Sequence, residues 1–399
     1  MDNFNSSGNG FSNSQYPNNS QNSYTPNQPN PQYQQNYYQG QSPSYFYNNK
    51  AGAGPQYHYG MPRNNLANDR YLEEQRRRML ARRHHEKKLR SEGNKIGIAL
   101  SLLLVLSLIF SFGLLLPKFS SLYSNSVAFQ SAYGILYSVF TVGLSFFVVS
   151  KIFGNNKLNI EHIYSAPADK TKAVLIVLIC FGGCNIANYI TSFLRVIAES
   201  FGIYSAYTAA QSPKSTFDVI LMFLSTAVIP PLIEEFALRG VALQNLKKYG
   251  NSFAIIASAF TFAILHGNAV QIPFAFMCGL LLGYAVLATD SIWVSIIIHA
   301  LVNFMSCLYS ALTFYTTETV ATTVYNVVTI GGIIIGVLAF ALYIIRYKND
   351  ATLKNKGDAP DMPVKTKFGK FLSSPVMITV TVIFAIEAIA TLSLSATSY

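Results

Sequence analysis

Nine apolar runs punctuate this chain, at about 96–116, 132–150, 173–194, 216–239, 252–266, 272–289, 292–315, 325–345 and 375–395. A helix needs about 20 consecutive apolar residues to cross the hydrocarbon core of a bilayer, and most of these runs approach that length. With no water in the core to pair backbone N–H and C=O groups, spanning segments of this kind fold as helices. The expectation is an all-α, polytopic transmembrane helical bundle of about eight to nine spans. The fifth run, 252–266, is short and counts as a span on context alone.

Only 12% of the 399 residues are charged and 51% are hydrophobic, where a globular domain carries about 25% charge. The net charge of +11 sits beside and between the apolar runs, which argues against a nucleic-acid partner. Cys180, Cys184, Cys278 and Cys307 all lie in apolar runs, so they are not a disulfide framework. Cys180 and Cys184 share a helical face and read as buried small side chains rather than as a metal pair.

Composition divides the chain. Residues 1–60 are rich in Asn, Gln, Tyr, Ser and Pro, with only Asp2 and Lys50 charged. Such a tail buries too little apolar surface to offset its ordering entropy and is expected to be disordered. Residues 61–95 carry 11 Lys and Arg, and Tyr71 to Arg90 holds neither Gly nor Pro, the pattern of a basic juxtamembrane helix. A basic cluster of this kind can bind anionic lipid headgroups or simply set topology. His84 and His85 lie within it, where neighbouring cations repel a metal. Then follow N-terminal transmembrane helices (96–215), a core (216–310) and C-terminal transmembrane helices (311–399).

Lys and Arg residues on short loops mark the cytoplasmic side. With the N-terminus inside and alternating spans, 61–95, 151–172, 239–251 and 346–370 fall inside, while Lys118, Arg195 and Lys214 alone fall outside. The N-terminus is therefore expected in the cytoplasm, in a membrane that the Asn/Gln-rich leader suggests is a bacterial plasma membrane.

The core concentrates ionisable groups where lipid makes them costly, and such groups mark functional sites. Glu234, Glu235 and Arg239 lie on the fourth run, His266 ends the fifth, and His299 and Asn303 lie on the seventh. Glu235 and Arg239 are four residues apart, on one helical face, so Arg239 can neutralise Glu235 and leave Glu234 as the working carboxylate. Pro230 and Pro231 are expected to interrupt the helix, which restarts at Pro231 with both glutamates in its first turn. Glu234 and His266 each lie 16 residues from Gly250, about 24 Å at the helical rise. His299 and Asn303 lie about 13–20 Å from the next turn at Asp290, so all four side chains can meet within the bilayer. A carboxylate, two imidazoles and an amide suit hydrolysis, with Glu234 as general base and a histidine or Asn303 on the oxyanion. Alternatively His266 and His299, helped by Glu234 or Asn303, could hold a divalent metal such as zinc; no HExxH is present.

Three further features stand out. Asn185 and Asn188 are candidate interhelical hydrogen-bond partners, Gly279 and Gly283 form a GxxxG that reads as internal packing, and Glu387 is an isolated acid in the last run.

At Glu234-Glu235-Phe236-Ala237-Leu238-Arg239 (EExxxR), Phe262 to His266 (FxxxH) and His299 to Asn303 (HxxxN), the sequence resembles the CPBP family, the CAAX proteases and bacteriocin-processing enzymes, also called Abi. The resemblance covers about 216–310 and leaves out the tail, the basic helix and the last two spans. It implies an all-helical intramembrane endopeptidase whose glutamate and histidines form the catalytic centre, of metallo- or glutamate type. Glu234, Glu235, Arg239, His266, His299 and Asn303 are its site residues here. The implied substrate is a membrane-associated or lipidated protein or a leader peptide. The competing class is a non-enzymatic bacteriocin-immunity or partner-binding scaffold with a vestigial site. A transporter fits less well, since no paired interrupted segments recur.

Overall fold

The computed structural model describes residues 66–152, 161–205, 212–350 and 362–394. The expected disordered tail, residues 1–60, lies outside them. Among the described residues, seven helices are long and apolar enough to span a membrane: α1 (Leu66–Gly113), α3 (Val127–Lys151), α4 (Lys170–Ser200), α5 (Thr216–Lys247), α7 (Gln271–Thr289), α8 (Ile292–Tyr315) and α9 (Glu318–Tyr347). Shorter helices are α2 (Pro117–Asn125), α6 (Asn251–Ile264), α10 (Val364–Leu372) and α11 (Pro375–Ala390). The last two form an eighth span only if taken together across an 85° bend. The upper count of nine is therefore too high. The fifth run became α6, whose 14 residues reach about 21 Å, short of the roughly 30 Å core.

The basic segment and the first span form one helix. Its 48 residues make α1 about 72 Å long, more than twice the hydrocarbon thickness.

The four basic segments gather on one face. Lys370 pairs with Glu86 at 3.0 Å, Lys248 with Glu92 at 3.0 Å, Lys172 with Asp350 at 2.8 Å and Lys247 with Asp290 at 3.9 Å, while Lys367 Nζ donates to Tyr249 O at 2.7 Å. At the opposite ends of the helices, Lys214 Nζ donates to Asn125 O, Tyr315 Oη donates to Thr216 Oγ1, and β1 (Ile203–Ser205) pairs antiparallel with β2 (Leu392–Leu394). The alternation of charge along the sequence thus corresponds to two ends of one bundle.

The densest packing surrounds α6 and α7. Built onto Gly279, a Cβ would lie 2.9 Å from Ala259 Cα, and at Gly283 it would meet Leu243 and Ile255. The GxxxG seam is thus internal and brings α7 against α5 and α6. Asn188 Nδ2 reaches Tyr325 Oη on α9 at 3.3 Å, whereas Asn185 Nδ2 stays within α4, on Phe181 O. Only the first of the two amides bridges helices.

Candidate active site

Two consecutive prolines remove two backbone donors, yet α5 runs unbroken from Thr216 to Lys247. The expected break at Pro230 and Pro231 is absent, and Glu234 and Glu235 end the α-helical stretch Ile229–Glu235 instead of opening a new helix. A π-helical turn at Phe223–Val228 absorbs the prolines, with Ile229 N–H reaching back to Leu224 O. The carbonyl of Thr226 is left over. Its α-type donor would come from residue 230 and its π-type donor from residue 231, and both are proline. Asn303 Nδ2, from α8, donates to that carbonyl at 3.0 Å. The amide at the end of HxxxN therefore closes a gap that the prolines opened, and it ties α8 to α5 about two turns before the glutamates. A second π-helical turn, Phe236–Leu243, follows Glu235 directly.

Glu235 and Arg239 are both fully buried, and Arg239 Nη1 donates to Glu235 Oε1 at 2.8 Å. The guanidinium also donates from Nη2 to Gly279 O at 3.1 Å and lies over the Phe262 ring at 4.7 Å. A desolvated cation survives inside a bundle only with such company. The pair expected from i, i+4 spacing is present and locks α5 to α6 and α7.

His299 joins the two glutamates. Its Nδ1 lies 3.0 Å from Glu235 Oε1, and its Nε2 lies 3.8 Å from Glu234 Oε2. With Nδ1–H donated to Glu235, Nε2 faces the second carboxylate. Glu234 keeps a fifth of its side chain exposed and makes no hydrogen bond among the described residues. Glu235 is held by hydrogen bonds, whereas Glu234 has the longer 3.8 Å contact with His299.

His266 ends α6 in a turn whose Gly267 has φ of +54°. Its Nδ1 meets Phe262 O at 3.0 Å, and the Phe262 ring packs edge-on against both His266 and His299. A ring nitrogen facing a carbonyl must carry the proton, so Nε2 is the atom left for chemistry. His266, His299 and Asn303 line one small cavity of about 40 Å³, enough for water, together with Cys184 and Cys278. No hydrogen bond joins Glu234 to His266 or Asn303 among the described residues, so the convergence read from depth is direct only for the His299 contacts.

The turn after His266 is held by the last helix. Glu387 of α11 packs against Gly267, where a Cβ would lie 2.8 Å from its Cδ, and Thr391 Oγ1 accepts from Ala269 N at 3.3 Å. The acid read as isolated is thus a neighbour of the histidine turn. Sequence reasoning also passed over Thr226, although a carbonyl four residues before a proline is a recognisable orphan.

No group of three His, Cys, Asp or Glu side chains among the described residues is placed to hold a metal ion. His266 and His299 each turn Nδ1 to an oxygen, Phe262 O and Glu235 Oε1, which leaves Nε2 of each as the atom that could face a metal, with Glu234 3.8 Å from that of His299.

Residues 216–305 match a family model described as type II CAAX prenyl endopeptidase Rce1-like. The match covers about a quarter of the chain and is consistent with the CPBP resemblance. No curated protein and no solved structure matches the chain. The apolar helices and this match together define an integral membrane protein.

Proposed function

We propose that this protein is an intramembrane endopeptidase that hydrolyses a peptide bond with water activated by Glu234. The observation that carries the reading is the division of the two glutamates. Arg239 and His299 hold Glu235, while Glu234 is unbonded beside His299 Nε2.

Glu234 takes a proton from water, and the resulting hydroxide adds to the scissile carbonyl. His266, tied through Nδ1, presents an Nε2 lone pair that orients the attacking water. A carboxamide has two N–H donors, and Asn303 gives one to Thr226 O. The other supports the oxyanion. Collapse of the tetrahedral intermediate breaks the C–N bond, and the protonated Glu234 returns its proton to the leaving amine. His299 is held in place by Glu235 and fixes the distance between Glu234 and α8.

No step needs a metal. The substrate is a membrane-associated or lipidated protein or a leader peptide, and the basic face lies in the cytoplasm of a bacterial plasma membrane, where α1 can meet anionic headgroups. The test is peptide cleavage in membranes by the wild type beside Glu234→Gln. Equal cleavage by the two removes the assignment, and a cellular phenotype that survives Glu234→Gln favours the scaffold class.

A further inference from the structure

Two cysteines on different helices meet beside the site. Cys184 lies on α4 and Cys278 on α7, and both are free thiols. The two helices approach closely there. A Cβ built onto Gly183 would lie 2.9 Å from Leu281 Cδ1, and Cys180 Sγ reaches Leu281 O at 3.7 Å. The Cys278 thiol faces that of Cys184, side chain to side chain.

What the thiols border sets these two apart. Cys184 and Cys278 both line the water-sized cavity of about 40 Å³ that His266, His299 and Asn303 line. Cys184 also lines a neighbouring chamber of about 550 Å³. Cys180 lines neither space, and Cys307 lines only the chamber, with its Sγ on Met222 O. One thiol is thus reached through the chamber, and its partner stands across a space that admits a molecule of about the size of water. Hydrogen peroxide is small and polar enough to enter such a space.

We propose that Cys184 and Cys278 are a peroxide-reactive dithiol that closes into a disulfide between α4 and α7 and turns the site off. The loss of activity rests on the peptidase reading above; the disulfide does not.

The reaction balances with a peroxide as the two-electron oxidant. The sulfur of Cys184 attacks one peroxide oxygen as thiolate, the O–O bond breaks, and the hydroxide released takes up the thiol's proton as water. His266 Nε2, on the same cavity, carries that proton in transit. Cys184 is then a sulfenic acid. The sulfur of Cys278 attacks it, the S–O bond breaks, and the second hydroxide leaves with the Cys278 proton as water. Two thiols and one hydrogen peroxide give one disulfide and two waters.

A covalent bond holds two sulfurs closer than unbonded thiols stand, so closure draws α7 towards α4 at Cys278. The next residue, Gly279, accepts from Arg239 through its carbonyl, Arg239 holds Glu235, and Glu235 holds His299. A displacement there is passed to the residues that position the chemistry, where errors of about 1 Å cost up to about 10²-fold.

The test uses a Cys180→Ser, Cys307→Ser protein in lipid nanodiscs, treated with hydrogen peroxide and then alkylated after denaturation. Mass spectrometry should find a peptide pair joining residues 184 and 278, lost on treatment with dithiothreitol. Glu234-dependent cleavage should fall at least about tenfold with peroxide and return with dithiothreitol. With Cys278→Ala added, cleavage after peroxide should stay within about twofold of that variant's own untreated rate. Two thiols still open to alkylation in the folded protein, or sulfinic acids without a cross-link, overturn the dithiol. A cross-link that leaves Glu234-dependent cleavage unchanged overturns the loss of activity and leaves the peptidase reading standing. A cross-link in a protein without any Glu234-dependent cleavage upholds the dithiol and overturns the peptidase reading.

Discussion

Replacing Glu235 with Gln should damage the fold, whereas the same change at Glu234 should damage only the chemistry. Arg239 is fully buried and has three partners: Glu235 at 2.8 Å, Gly279 O at 3.1 Å and the Phe262 ring at 4.7 Å. Glu235→Gln keeps the shape and removes the carboxylate hydrogen-bonded to Arg239, so a desolvated guanidinium loses its direct counter-charge. Breaking a buried pair in this way costs about 3–5 kcal/mol. Glu234 has no hydrogen bond to lose and is partly exposed, so Glu234→Gln should stay within about 0.5 kcal/mol of wild type. A third variant separates charge from packing. Glu235→Leu with Arg239→Met removes both charges together, and such replacements are often neutral or stabilising. It should recover most of the lost stability without recovering activity, because His299 loses its Nδ1 partner. The assay is the thermal unfolding midpoint of the four proteins in one detergent. If Glu234→Gln falls as far as Glu235→Gln, or if the double variant is less stable than Glu235→Gln, the division of roles between the glutamates is wrong.

Asn303→Ala should cost about 1–3 kcal/mol by orphaning Thr226 O. In a Pro230→Ala, Pro231→Ala background the restored N–H groups reach that carbonyl and most of the cost should vanish, as a double-mutant cycle on unfolding midpoints would show. Gly267→Ala combines a left-handed backbone, costing about 1–2 kcal/mol in an L-residue, with a clash on the end of Glu387. Adding Glu387→Ser should return part of the lost stability and activity but not all, and full recovery would remove the backbone argument. For topology, single cysteines placed at Lys248 and Lys214 in a cysteine-free background should react with a membrane-impermeant reagent from opposite sides, the first from the cytoplasm. Labelling of both from one side would contradict the bundle's two ends.

Much of the fold was legible because lipid permits few solutions. Runs such as 325–345 and 292–315 have few other ways to bury themselves, and α9 and α8 stand there. The Glu235–Arg239 pair was legible because i, i+4 spacing fixes a shared face before any tertiary contact forms. Counting residues from Gly250 and Asp290 brought His299 to the depth of the glutamates for the same reason. The rest depends on contacts between distant segments, which leave no periodicity. The prolines at 230 and 231 read as a break because nothing local shows that an asparagine 70-odd residues later supplies the missing donor. Glu387 looked isolated because its neighbour, Gly267, has no side chain to announce the contact. The run 252–266 was counted as a span on context, but it supplies a helix of only 14 residues, and its last two positions already belong to a turn.

The central claim is that the unbonded carboxylate of Glu234 activates water directly. It is tested by cleavage of membrane peptides in chelator-treated nanodiscs holding wild type, Glu234→Gln or Glu234→Asp, with metal content measured on the same preparations. The account predicts full activity in metal-free wild type, a loss of at least about 10²-fold in Glu234→Gln, the scale of a removed general base, and partial activity in Glu234→Asp. Undiminished cleavage by Glu234→Gln, or activity that disappears with the metal and returns with zinc, would contradict it.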